Sequence, residues 1–67
     1  IEGTVIVVFV INTDGSIQDV EVLRGIGGGC DEEAVKVVQN APKWEPGKQR
    51  GRPVRTRMRL PIRFKLS

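Results

Sequence analysis

The stretch Val54-Arg55-Thr56-Arg57-Met58-Arg59-Leu60-Pro61-Ile62-Arg63-Phe64-Lys65-Leu66 decides the fold. Val54, Thr56, Met58, Leu60, Ile62, Phe64 and Leu66 alternate with Arg55, Arg57, Arg59, Pro61, Arg63 and Lys65. A period of two is that of a β-strand whose two faces meet different surroundings. At roughly 3.3 Å per residue the strand would extend about 43 Å. Its even positions are expected to face a core and its odd positions to form a basic row. Pro61 has no N–H for a ladder, which confines the strand to a sheet edge or a bulge.

Working outward, Gly3 to Asn12 is β-branched and apolar at nearly every position, the pattern of a central strand covered by neighbours on both faces. Asn12-Thr13-Asp14-Gly15 supplies a type I turn followed by a glycine suited to the left-handed conformation, a common hairpin connection. A second strand runs from Ser16 to Arg24. Ile17, Val20 and Val22 break strict alternation by one, which predicts a β-bulge near Gln18-Asp19. Gly25 to Gly29 reads as a flexible loop. Cys30-Asp31-Glu32-Glu33 opens a helix with acids where the macrodipole favours them. Ala34, Val35, Val38 and Ala41 form one apolar stripe at helical spacing, Glu32 and Lys36 make an i,i+4 pair, and Pro42 ends the helix. Lys43 to Pro53 reads as a loop, with the Trp44 ring closing one end of the gap between helix and sheet; an interface anchor is the rival role. The fold class is therefore α+β: strand, strand, helix, strand. A right-handed crossover returns strand three to the free side of strand one, giving a three-stranded antiparallel sheet of order 2-1-3 with one helix packed on one face.

The 67 residues make one domain, of a size that buries only roughly 60% of its unfolded surface. Cys30 is the sole cysteine and histidine and tyrosine are absent. That excludes an intrachain disulfide, a Cys/His zinc site, a Cys-His nucleophile pair, an imidazole base and a phenolic acid. No catalytic, cofactor-binding or metal-binding residue is assigned, and the reading is non-enzymatic. Gly25 to Gly29 fails the Gly-x-Gly-x-x-Gly spacing, and three carboxylates in the following turn would repel a phosphate. The first 42 residues carry two bases, Arg24 and Lys36, against seven acids, a net −5; residues 43–67 carry nine bases against Glu45 alone, a net +8. A polyanion-binding surface would show such a division, and so would two halves that complement each other across one sheet. The arginine row lacks the interleaved aromatics of a nucleic-acid stacking platform. On the face away from the helix, Ile6, Val8 and Val10 are expected between Asp19 and Glu21 of strand two and the arginines of strand three. The longest apolar run, Val5 to Ile11, is far short of the about 20 residues of a membrane span. Beginning at Ile1-Glu2-Gly3 on the threshold of a strand, the chain reads as a domain cut from a longer protein.

Glu2-Gly3-x-Val5-x-Val7-x-Phe9, Asp14-Gly15-x-Ile17-x-Asp19-Val20, Asp31-Glu32-Glu33-Ala34-Val35, Trp44-Glu45-Pro46-Gly47, Gly51-x-Pro53-Val54 and Leu60-Pro61-Ile62-x-Phe64 occur in an order and spacing that resemble the C-terminal domain of TonB-type energy transducers, and the stretches Gly27-Gly28-Gly29-Cys30-Asp31 and Trp44-Glu45-Pro46-Gly47-Lys48 resemble versions from Bacteroidetes-like bacteria. The resemblance covers essentially all 67 positions. Cys30 stands where the family often has leucine, and the Tyr-Pro element that usually precedes the Glu-Gly start has no counterpart here.

The resemblance implies a periplasmic domain of an inner-membrane-anchored protein. It would capture a short segment, the TonB box, of an outer-membrane transporter and transmit proton-motive energy from a motor of ExbB and ExbD type engaged through upstream parts. Together with the long edge strand, it points to β-strand addition on strand three, with Arg55, Thr56, Arg57, Met58, Arg59, Leu60 and Arg63 as partner-binding residues. Alternatives are a similar domain appended to a membrane sensor peptidase and a homodimerisation module. Nucleic-acid binding by the basic row ranks below these.

Overall fold

The computed structural model describes residues 2–65. Strand β1 (Glu2–Ile11) is followed by β2 (Ile17–Arg24), helix α1 (Cys30–Gln39), two short strands β3 (Lys48–Gln49) and β4 (Arg52–Pro53), and the long β5 (Thr56–Lys65). The main sheet has the order β2-β1-β5 with both pairings antiparallel. The expected α+β fold and 2-1-3 sheet are thus present, with the predicted third strand corresponding to β5.

The core explains the central place of β1. Val5, Val7, Phe9 and Ile11 point to the helix side and are buried against Cys30, Ala34 and Val38 of α1. Ile17, Val20 and Val22 flank them from β2; Met58, Leu60, Ile62 and Phe64 do so from β5. Trp44 closes one end: its ring lies 5.0 Å from that of Phe9 and its indole Nε1 donates to the Val38 carbonyl at 3.3 Å. Burying aromatic area while satisfying the indole donor is how a tryptophan stabilises a core margin.

The β1–β2 turn has the expected form. The N–H of Gly15 donates to the Asn12 carbonyl at 3.0 Å, and Gly15 has φ 88°, where a side chain would be strained and its Cβ would press on the Trp44 carbonyl oxygen. Asp14 Oδ1 accepts from the Ser16 hydroxyl and N–H at 2.6 and 2.9 Å. Those two bonds to the ionised form hold the exposed Asp14 carboxyl below its ordinary range.

The predicted bulge is present. Val8 pairs with Glu21 and Val10 with Gln18, so Asp19 and Val20 together oppose Phe9, and Asp19 takes the left-handed φ of 55°. A second bulge was not foreseen: Ile6 pairs with Arg24 and Val7 with Val22, which leaves Leu23 unpaired and 57% exposed.

Four other expectations are corrected. The helix stops at Gln39 rather than running to Pro42, because Asn40 already donates to the Lys36 carbonyl as a cap and Ala41 only to Val38. Lys36 lies 3.9 Å from Glu33, an exposed i,i+3 pair, in place of the expected Glu32. Within the Lys43–Pro53 segment, β3 and β4 form a two-stranded ribbon turned by Arg50 and Gly51 at φ 54° and 77°, the signs of a type I′ turn. The last strand begins at Thr56, not Val54: Val54 N–H bonds to the Gly47 carbonyl and Gly47 N–H to Thr56 Oγ1, which holds Val54 and Arg55 in a connection. Leu66, the predicted last residue of that strand, lies outside the described residues.

The Gly25–Gly29 loop is tied down by a residue whose expected role was only to face the macrodipole. Asp31 Oδ1 accepts the N–H groups of Ile26 and Gly27 at 3.0 and 3.2 Å.

Candidate functional site: the outer edge of β5

β5 lies at the end of the sheet, bonded to β1 on one side and to no strand on the other among the described residues. Which main-chain groups face outward follows from parity. Asn12 donates to Ser16 across the hairpin at 2.8 Å, so even-numbered positions at that end of β1 turn their main-chain groups to β2, and odd-numbered ones turn toward β5. The β1–β5 register runs from Ile11↔Thr56 to Gly3↔Phe64 without a shift. Thr56, Met58, Leu60, Ile62 and Phe64 therefore bond to β1, while Arg57, Arg59, Pro61 and Arg63 direct their main chain outward. Pro61 sits where its missing N–H costs the β1–β5 ladder nothing, and it leaves the outer edge with donors at Arg57, Arg59 and Arg63 and a gap between the last two.

The side chains divide by the same alternation. Thr56, Met58 and Leu60 are half-buried toward the helix side, whereas Arg57, Arg59 and Arg63 are exposed on the opposite face. Of the seven residues expected to bind a partner, these six lie on β5; Arg55 lies before it, in the connection. At the start of α1, the Asp31 carboxylate accepts from two loop N–H groups and Glu33 faces Lys36. Cys30 is 5% exposed, packed among Val and Ala side chains as a small apolar filler. Among the described residues no group of three His, Cys, Asp or Glu side chains is placed to hold a metal, and no helix is long and apolar enough to cross a membrane.

The fold and this edge define a class: a small α+β module with a three-stranded antiparallel sheet, one helix on one face and a long strand open along one side. The chain belongs to the family described as the Gram-negative bacterial TonB protein C-terminal domain, whose model matches residues 1–66. This is a protein-interaction family, typically periplasmic. A search of curated proteins and a search of solved structures each return no match.

Proposed function

We propose that this domain is the non-enzymatic binding end of a TonB-type energy transducer, and that it captures the TonB box of an outer-membrane transporter as an added strand on the outer edge of β5. The observation that carries the reading is the free edge, with main-chain donors at Arg57, Arg59 and Arg63 in a family that works by protein interaction. A segment of about five residues would gain some five main-chain hydrogen bonds at roughly 0.5–1.5 kcal/mol each, set against the cost of association. Affinity is thus modest, and side-chain contacts tune it. Arg57 and Arg59 flank the captured strand on one face and favour acidic or polar residues there; Thr56, Met58 and Leu60 favour apolar ones on the other. In the full-length protein the domain would be held in the periplasm by an inner-membrane anchor, and an ExbB/ExbD-type motor would act through the upstream region.

The test is amide chemical-shift mapping with a TonB-box-like peptide. The expected result is perturbation concentrated on residues 56–64, strongest at Arg57 and Arg59. Changes confined to β2 or the helix, with β5 silent, would refute the docking edge.

A further inference from the structure

The face of the sheet opposite the helix carries a pattern that edge capture touches only through the Arg57 and Arg59 side chains. The register arranges it in three levels across the strands. Arg24, Ile6 and Pro61 lie in one row; Glu21, Val8 and Arg59 in the next; Gln18, Val10 and Arg57 in the third, with the bulged Asp19 beside Gln18. The middle of each row is apolar and half-buried. In the second and third rows the β2 side is acidic and the β5 side basic. Across β1 the two outer strands are about 10 Å apart, and among the described residues no ion pair within 4.0 Å joins Asp19 or Glu21 to an arginine. Between them is a hollow of about 460 Å³ lined by Val8, Val10, Asp19, Glu21 and Arg57. A second hollow, of about 390 Å³, adjoins it under Leu23 and Arg59, where the second bulge leaves Leu23 exposed.

We propose that this face docks on the same face of a second copy of the chain, about a two-fold axis parallel to the strands. Such an axis exchanges left and right and keeps each row at its level. Glu21 then lies over Arg59 of the second copy, Asp19 over its Arg57, and the Ile6, Val8 and Val10 stripes meet in the middle. The other in-plane axis, perpendicular to the strands, would set β2 over β2 and β5 over β5, like charge on like. Stacked sheets keep their strands within about 30° and lie about 10 Å apart, close enough for these side chains to interdigitate. The face is about 15 Å wide and about 20 Å long, well short of a standard interface, so the dimer is weak, reversible and salt-sensitive. It uses the face and not the outward main-chain groups of the edge, and shares with peptide capture only the Arg57 and Arg59 side chains.

Charge exchange tests it, using the 67-residue chain and the exposed substitutions Glu21→Arg and Arg59→Glu. Sedimentation or light scattering at millimolar protein and low salt should show wild type self-associating and each variant alone monomeric, with amide spectra confirming the fold. Mixing the two variants should restore a dimer, because the introduced arginine of one lies over the introduced glutamate of the other and every remaining pair keeps its sign. A wild type that stays monomeric overturns the proposal. So do variants that dimerise like wild type, the result for edge-to-edge or strand-exchanged association, or a mixture that stays monomeric.

Discussion

At the scale of single residues, Trp44 shows how one side chain serves several elements. Its ring meets Phe9 of β1, its indole nitrogen caps the Val38 carbonyl of α1, and its main-chain N–H reaches the Gly15 carbonyl at 3.3 Å. A 67-residue domain has on the order of 3–10 kcal/mol of stability, and large-to-small aromatic changes remove about 3–5 kcal/mol. Trp44→Ala is therefore expected to lower the melting temperature steeply and to leave a substantial unfolded fraction at 25 °C, as circular dichroism would record. A variant that melts like wild type yet no longer binds the peptide would instead make Trp44 an interface anchor. Asp31 shows a different kind of role. Its carboxylate bonds to two loop N–H groups, and a Cβ at Gly25 would collide with it, so the glycine and the acid require one another. Nothing in their spacing announces this, because the contact depends on the path of a loop whose glycines at 27, 28 and 29 all have positive φ.

At the scale of elements, how much could be read from the sequence depended on how directly apolar pattern controls geometry. Alternation along β5, two-sided apolarity in β1 and the broken alternation of β2 each state which residues seek the core, and the strands, their order and the first bulge follow from that. The β3–β4 ribbon was not legible because Lys48, Gln49, Arg52 and Pro53 are all exposed. No apolar period marks it, and its turn places a non-glycine residue, Arg50, in the left-handed region. The second bulge escaped because Leu23 is apolar yet points outward. Of the candidate site, the edge was legible through Pro61, whereas Arg55 was misplaced because period two continues in the sequence for two residues beyond the ladder. Parity makes a prediction at this scale. Arg57→Pro deletes an outward donor and should keep the folded amide spectrum while weakening peptide binding by at least about tenfold, the equivalent of one such bond plus the obstruction of the ring. Met58→Pro deletes a donor to β1 and should destabilise the fold itself, and Pro61→Val, which fills the gap, should strengthen binding. Equal unfolding by Arg57→Pro and Met58→Pro would mean that the outward parity is assigned wrongly.

At the scale of the whole molecule, the division of charge along the chain becomes a division in space. Asp19 and Glu21 lie on β2 and Asp31, Glu32 and Glu33 at the start of α1, while Lys48, Arg50 and Arg52 lie on the ribbon and Arg57, Arg59 and Arg63 on β5. A basic surface of this extent attracts any polyanion, so the question is what would make that attraction specific. Aromatic stacking is the usual means for single-stranded nucleic acid, and here it is unavailable. Phe9 is 1% exposed, Trp44 packs on it, and Phe64 turns to the core side of β5, away from the arginines. What remains is phosphate contact, whose affinity falls by about 10³-fold or more between 50 and 200 mM salt when six or more phosphates are engaged. Peptide capture by main-chain hydrogen bonds carries no comparable counterion release. Titrating single-stranded DNA and a TonB-box-like peptide in parallel should therefore separate the two at 200 mM salt, with DNA binding lost and peptide binding reduced only modestly through Arg57 and Arg59. DNA affinity that survives 200 mM salt with a clear sequence preference would reverse the ranking and make the arginine row a nucleic-acid surface.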